Sequence, residues 1–276
     1  MPKAIRSSEQ SSKRSSRLKL TASLPLAGKR IGLLSSWVSR SNGGVFEAVL
    51  AQAGVLTALG AQPVVLGLRD RHAETDIWRL GGHEHHLCDP WGPHAAGYAP
   101  ALASALMSAQ LDLLHLNGIW QYPSHAADLW KRATAKPLVI SPHGMLDPWI
   151  TSRNAWKKHL GRVLWERKAW QNASAFHALT DAEARHIARE TGGAEVATIP
   201  NSAPSLTPPG DATRPPMALY IGRIHEKKNL GALISAWQIA RTALPKGAVL
   251  TIAGWGDDDG IDALEHAMRD VAGDGI

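Results

Sequence analysis

The chain is predicted to be an α/β protein of two doubly wound parallel-sheet domains, the second of them incomplete. Three observations predict this. Strand patterns alternate with helical patterns from about residue 29 to the end. The strand candidates are continuously apolar, as parallel strands buried on both faces require. A stretch with five prolines in fifteen residues, 202–216, interrupts the alternation once, as a linker does.

Residues 1–23 read as a disordered, Ser-rich basic arm. Lys3, Arg6, Lys13, Arg14, Arg17 and Lys19 against Glu9 place five of the six net positive charges there. Lys19 and Pro25 break the one apolar stretch that a secretory leader would need. The first domain, 24–201, opens with a strand at Lys29–Val38 and an Ala/Leu-rich helix at Val45–Leu59. Further strands are expected at Pro63–Leu68, Leu111–Leu116, Pro137–Ser141, Ala175–Leu179 and Val196–Ile199, with helices near 123–133, 153–171 and 181–191. After the linker, 217–276 supplies strands Met217–Ile221 and Ala248–Ala253 and helices Leu230–Leu244 and about 261–270. Two strands cannot bury the apolar faces of two helices, and an open parallel sheet takes about five or six. Residues 217–276 are therefore expected to be part of a larger domain.

Composition excludes several classes. At 276 residues, 44% hydrophobic and 20% charged, the chain is neither collagen-like nor wholly disordered. The single cysteine, Cys88, cannot form an internal disulfide or a thiolate cage, which suits a reducing compartment. No apolar run is long enough to span a bilayer. Outside the arm the chain is nearly neutral, so nucleic acid is not an expected partner.

Three turns carry candidate chemistry. Ser39–Gly44 joins the first strand to the first helix, and its glycines let the backbone approach an anion at a helix start. Ser141–Trp149 leaves the carboxyl end of a strand, where doubly wound folds bind ligands, and holds His143 between Pro142 and Gly144. Gly222–Asn229 offers Arg223 as a planar fork and Lys228 as a point charge for a diphosphate. Two further clusters are read as decoys: His83–His86 as a flexible polar loop without metal geometry, and Asp257–Asp259 as a helix-capping loop. Over 153–171 a single helical period puts Trp156, Leu160, Val163, Leu164 and Trp170 on the core side. The opposite face then gathers Lys157, Lys158, Arg162, Trp165 and Lys168, a candidate surface for anionic headgroups.

Taken in order, Ser39–Gly44, Ile140–Trp149, His177–Glu183, Ile199–Ser202, Tyr220–Lys228 and Ile252–Gly254 resemble the family-four (group 1) glycosyltransferases. The resemblance runs from about residue 29 to the end and implies the GT-B fold, two facing Rossmann-like domains. It implies a retaining, metal-independent hexosyl transfer from a nucleotide-sugar, which is a substrate, so no cofactor is expected. Gly43 and Gly44 would approach the donor phosphate, His143 would hydrogen-bond the transferred sugar, and Arg223 and Lys228 would hold the diphosphate. The acceptor it implies is a saccharide or a lipid-linked saccharide in polysaccharide or lipopolysaccharide assembly. The place it implies is the cytoplasm, peripheral on the inner face of the membrane. Asn229 and Ser202 stand where the family has glycine, and the family's paired glutamates are not found among residues 217–276. The alternative reading is a truncated, non-catalytic transferase-like binding protein.

Overall fold

A computed structural model describes residues 24–153, 155–203, 216–256 and 258–269, apart from the Lys157 side chain. The predicted arm and residues 204–215 of the predicted linker lie outside these. The chain divides into two compact units between Ser202 and Ala203.

The first unit is a seven-stranded sheet, every adjacent pair parallel, in the order β3-β2-β1-β4-β5-β6-β7. Its strands are β1 Arg30–Trp37, β2 Gln62–Leu68, β3 Glu84–Cys88, β4 Leu113–Asn117, β5 Leu138–Ser141, β6 Ala175–Ala178 and β7 Val196–Thr198. The chain builds outward from β1 to β3, then returns to lay β4 on the other side of β1. That reversal makes a crevice beyond the carboxyl ends of β1 and β4, where ligands bind in such sheets.

Strand alternation assigns the faces. Leu114 and Leu116 enter the larger core with Trp130 and Phe176. Leu33 enters the smaller one with Phe46 and Val49 of α1 (Gly44–Ala58). His115 is the register partner of Leu33, so it and Asn117, two residues on, share the α1 face.

Three segments of the first unit differ most from the sequence expectation. The predicted loop at His83–His86 is largely the edge strand β3, paired to β2. Successive strand residues point to opposite faces, so His85 and His86 diverge, which disfavours shared metal ligation more firmly than a loop would. Among the described residues no group of three His, Cys, Asp or Glu is placed to hold a metal ion. Helix Pro100–Ser108, unanticipated, has proline in its first turn and buries Leu102 and Leu106 one turn apart.

The third difference reverses a face. Residues 155–172 form one helix with a π-turn at Arg162–Glu166 between α-helical halves Ala155–Gly161 and Arg167–Asn172. A π-turn winds fewer degrees per residue, so it rotates the second half by roughly a quarter turn and defeats a single 3.6 period. Trp170 is buried as expected, but Trp156, Leu160, Val163 and Leu164 are 67%, 51%, 56% and 52% exposed. Turned inward instead are Glu166, fully buried, and Trp165 and Arg162, half-buried.

The second unit pairs β8 (Met217–Ile224) with β9 (Val249–Gly256) in parallel, with α9 (Leu230–Ala240) and α10 (Asp258–Arg269), an incomplete Rossmann-like unit. Ile224, Leu230, Ile234, Trp237 and Leu250 form its small core. The expected burial of β8 is not found: Leu219 and Ile221 are 59% and 76% exposed. Two strands offer too little surface to cover both faces of the pair.

Candidate functional site

The carboxyl edge of the first sheet carries a row of polar side chains. Asn117 and Ser141 end β4 and β5, Ser35 lies two residues before the end of β1, and the three stand side by side in register, all fully buried. Buried polar groups must find partners, and these build the site.

Asn117 is the hub. Its Oδ1 accepts from Gln52 Nε2 of α1 at 3.2 Å and from His143 Nε2 at 2.9 Å. Since Oδ1 only accepts, His143 carries its proton on Nε2, and Nδ1 is left with a lone pair. His143 lies in the β5–α5 loop, before α5 (Pro148–Ser152), with a left-handed φ of 52°. Burial, and then the nearby His177, pull its pKa down to about 4, so the ring is neutral at physiological pH.

Two carboxylates hold that loop from behind. Glu183 accepts from the N–H of Gly144 at 2.5 Å and of Leu179 at 2.8 Å, while its own N–H donates to Thr180, the N-cap of α8 (Asp181–Thr191). Glu166 accepts from the N–H of Trp120, whose indole Nε1 donates to the carbonyl of Met145 at 3.1 Å. The other oxygen of Glu166 has no hydrogen-bond partner among the described residues, although Ser124, Trp165 and Trp170 surround it. Burial pushes the carboxyl up to about 7, against the opposing pull of those neighbours.

A second hydrogen-bonded file runs across β4, β5 and β6 to the residue that follows β7. His177 Nε2 donates to the carbonyl of Ile199 at 2.7 Å. Its Nδ1 is hydrogen-bonded to Ser141 Oγ at 2.8 Å, and Ser141 Oγ to His115 Nε2 at 2.6 Å. Burial, and then the charges of His177 and His143, hold His115 down to about 3. The file is a polar layer that ties the strand ends together.

The glycine turn is equally anchored. Ser39 donates to Asp70 at 2.6 Å, Arg40 pairs with the buried Asp76, and Asn42 Nδ2 donates to Ser35 Oγ at 2.7 Å. These ties hold Gly43 at φ 55°, a left-handed conformation suited to glycine, as the N-cap of α1. A Cβ on Gly44 would meet nothing within 4 Å, so the backbone there faces open space.

Thus α1, which opens at Gly43 and Gly44, is linked to His143 through Gln52 and Asn117 at the carboxyl edge of the sheet. Asn117, Ser141, His115, His177, Gln52 and Glu183 are the supporting residues to which sequence reasoning gives no role. The legible signal is a polar residue at or near the carboxyl end of each of three apolar strands.

Arg223 and Lys228 belong to the second unit. Arg223 lies near the end of β8, and Lys228 closes a 3-10 turn at Glu226–Lys228; both are exposed. Gly254 explains the Ile252–Gly254 pattern: a Cβ would come within 1.8 Å of the Gly222 carbonyl on the paired strand. Asn229, in place of the family's glycine, has φ 48°, and asparagine tolerates this region best after glycine. Asn229→Ala is expected to destabilise this unit by about 1 kcal/mol and Asn229→Gly hardly at all, read as urea midpoints. Asp258 and Asp259 lie within the first turn of α10 rather than in a capping loop, where their charge is favourable at a helix start; Asp257 lies outside the described residues.

On the candidate membrane face, Lys168 is exposed and Lys158 half-buried, its ammonium donating to the carbonyls of Ile150 and Arg153 at 2.6 and 2.5 Å. Arg162 donates to Glu190 at 2.6 Å, and its guanidinium lies 5.8 Å from the ring centres of Trp120 and Trp170. Nothing is described for the Lys157 side chain.

Solved structures share the fold. HepE of Anabaena in complex with UDP and glucose is 17% identical, with a TM-score of 0.65 over 88% of this chain and 66% of that chain. The same protein with UDP alone gives a TM-score of 0.62 at 17% identity and the same coverage. A glycosyltransferase from Rickettsia africae is 12% identical, with a TM-score of 0.53 over 88% of this chain and 65% of that chain. The chain therefore spans about two thirds of the length of these structures. Among curated proteins none matches. The profile of the glycosyl transferase 4-like domain matches residues 43–202, from the glycine turn through the last strand of the first unit. Covering more than half of the chain, that match makes this protein a member of the glycosyl transferase 4-like family.

Proposed function

We propose that the protein is a retaining glycosyltransferase that moves a hexosyl group from a nucleotide-sugar to a saccharide or lipid-linked acceptor at an anionic membrane surface, in polysaccharide or lipopolysaccharide assembly. The observation that carries this is His143, neutral and aligned by Asn117 at the switch point of a family-matched sheet. Its Nδ1 lone pair is suited to accept from a hydroxyl of the transferred sugar. UDP in the HepE complexes supports a nucleoside diphosphate as the leaving group. We take the crevice unit as the acceptor domain and residues 217–276 as part of the donor domain.

In this reading the bond between the anomeric carbon and the diphosphate oxygen breaks, and the leaving oxygen takes the electron pair. The acceptor hydroxyl attacks from the same face and passes its proton to that oxygen. No enzyme nucleophile or metal is needed. Arg223 and Lys228 stabilise the charge that builds on the diphosphate. Each, changed to Ala in the full-length protein, is expected to weaken nucleoside diphosphate binding by roughly 1–3 kcal/mol, about ten- to a hundredfold, in calorimetry. Unchanged affinity in both variants would remove the phosphate assignment. The anomeric configuration of the product, read by NMR, tests retention. The membrane contact we propose is peripheral; among the described residues no helix is long and apolar enough to cross a membrane.

A further inference from the structure

The helix 155–172 and its neighbours hold a feature that nucleotide-sugar transfer does not use. Between α5, the first half of this helix and the end of α8 lies a cavity of about 380 Å³. Thr151, Lys158, His159, Arg162, Arg189 and Glu190 are among its lining residues. Three fixed cations against one carboxylate leave an excess of positive charge. Glu190 neutralises it incompletely, since Arg162 holds it at 2.6 Å but Arg189 reaches it only at 3.7 Å. Arg162 Nε, buried, has no hydrogen-bond partner among the described residues. A tetrahedral anion in the cavity would balance this excess charge and accept from Arg189, whose side chain is 53% exposed.

Apolar side chains accompany the cavity. The helix that contributes Lys158, His159 and Arg162 exposes Trp156, Leu160, Val163 and Leu164, and α5 exposes Trp149. Arg153 lies over the Trp149 ring, 4.6 Å from its centre. Exposed aromatic and aliphatic residues beside clustered cations are the composition of an interfacial helix, which buries one face at the headgroup boundary. A nucleic acid or a free phosphate would match the cations and leave four exposed apolar side chains without a purpose.

We propose that this cavity is a headgroup site. It binds the phosphate of an anionic phospholipid while Trp156, Leu160, Val163 and Leu164 enter the acyl boundary beside it. The proposal rests on the membrane contact proposed above and deepens it. It moves the contact from the basic face around Trp165 to one that joins cations to Trp156, Leu160, Val163 and Leu164, centred on Arg162 and Arg189.

The test is flotation of the full chain with phosphatidylcholine vesicles, with and without about one-third phosphatidylglycerol. Binding is expected only with the anionic lipid. Arg189, whose side chain is 53% exposed, can be changed without disturbing the core. Arg189→Gln is expected to weaken binding about fivefold, and the pair Trp156→Ser and Leu160→Ser to abolish it. Lys13→Ser, Arg14→Ser and Arg17→Ser together control for the arm, and in that background Arg189→Gln should still weaken binding. Glycerol 3-phosphate should compete with the vesicles and glycerol should not.

If the wild type floats and Arg189→Gln floats equally, the headgroup site is wrong while the membrane contact stands. If the wild type does not float, both fall. Binding of glycerol 3-phosphate without binding of vesicles would make this a free-phosphate site, and tighter binding to duplex DNA than to vesicles a nucleic-acid site. Either outcome overturns the proposal.

Discussion

Glu166→Gln is expected to remove a loss of stability of roughly 3 kcal/mol that the wild type suffers as pH rises. The carboxyl has its ordinary value of 4.5 in the unfolded chain and is pushed up to about 7 in the folded one. Between these values the folded state keeps a proton that the unfolded state has released. Stability is therefore greatest below about 4.5 on this group's account, falls through the window, and is flat above about 7. Glutamine mimics the protonated form and keeps an oxygen to accept from Trp120 N–H. Urea unfolding followed by tryptophan fluorescence at the two ends of the window isolates the effect as a difference between variant and wild type. Equal slopes in both proteins would mean that the carboxyl is not desolvated as its burial implies.

His143→Ala is expected to lower turnover by about a hundredfold while changing nucleotide affinity little. The side chain is proposed to contact the transferred sugar, and its ring is aligned by Asn117 Oδ1 rather than by the diphosphate. Alanine at φ 52° also costs about 1 kcal/mol of backbone preference. His143→Asn is the control, because asparagine tolerates that conformation and lacks the ring lone pair. On this group's account the rate should be flat through neutral pH and fall only as pH drops through about 4, where the imidazole gains its proton. Wild-type turnover in both variants would make His143 a loop residue.

Much of the first unit is legible in the sequence, for physical reasons that differ by element. The buried strands announce themselves because a parallel sheet covered on both faces needs apolar side chains at every position. Helix Asp181–Thr191 can be placed to the residue because Thr180 and Glu183 form a capping signature and Gly192 closes the helix with φ 77°. Strand β3 escapes such reading because Glu84, His85 and His86 carry no apolar pattern, and only pairing to β2 makes them a strand. The face of helix 155–172 is reversed because a π-turn is a tertiary accommodation. It seats Glu166 under Trp120, which no local periodicity encodes.

The candidate site is half legible. Gly43, Gly44 and His143 stand in turns where glycine or proline constrains the chain, and the left-handed φ of Gly43 and His143 is what such turns demand. Asn117 and Gln52 do not show, because their role depends on a register that brings β4 beside β1 and on α1 crossing above it. Glu183 is visible only as part of a helix cap. Its second task, gripping Gly144, requires β5 and β6 to be neighbours.

The central claim is that the crevice around His143 transfers a sugar from a nucleotide-sugar. The most direct measurement is nucleoside diphosphate release by the full-length protein across a panel of nucleotide-sugars, with His143→Ala beside the wild type. The account predicts release from at least one donor by the wild type and a loss of about a hundredfold in the variant. No release from any donor, or equal release by both proteins, would contradict it.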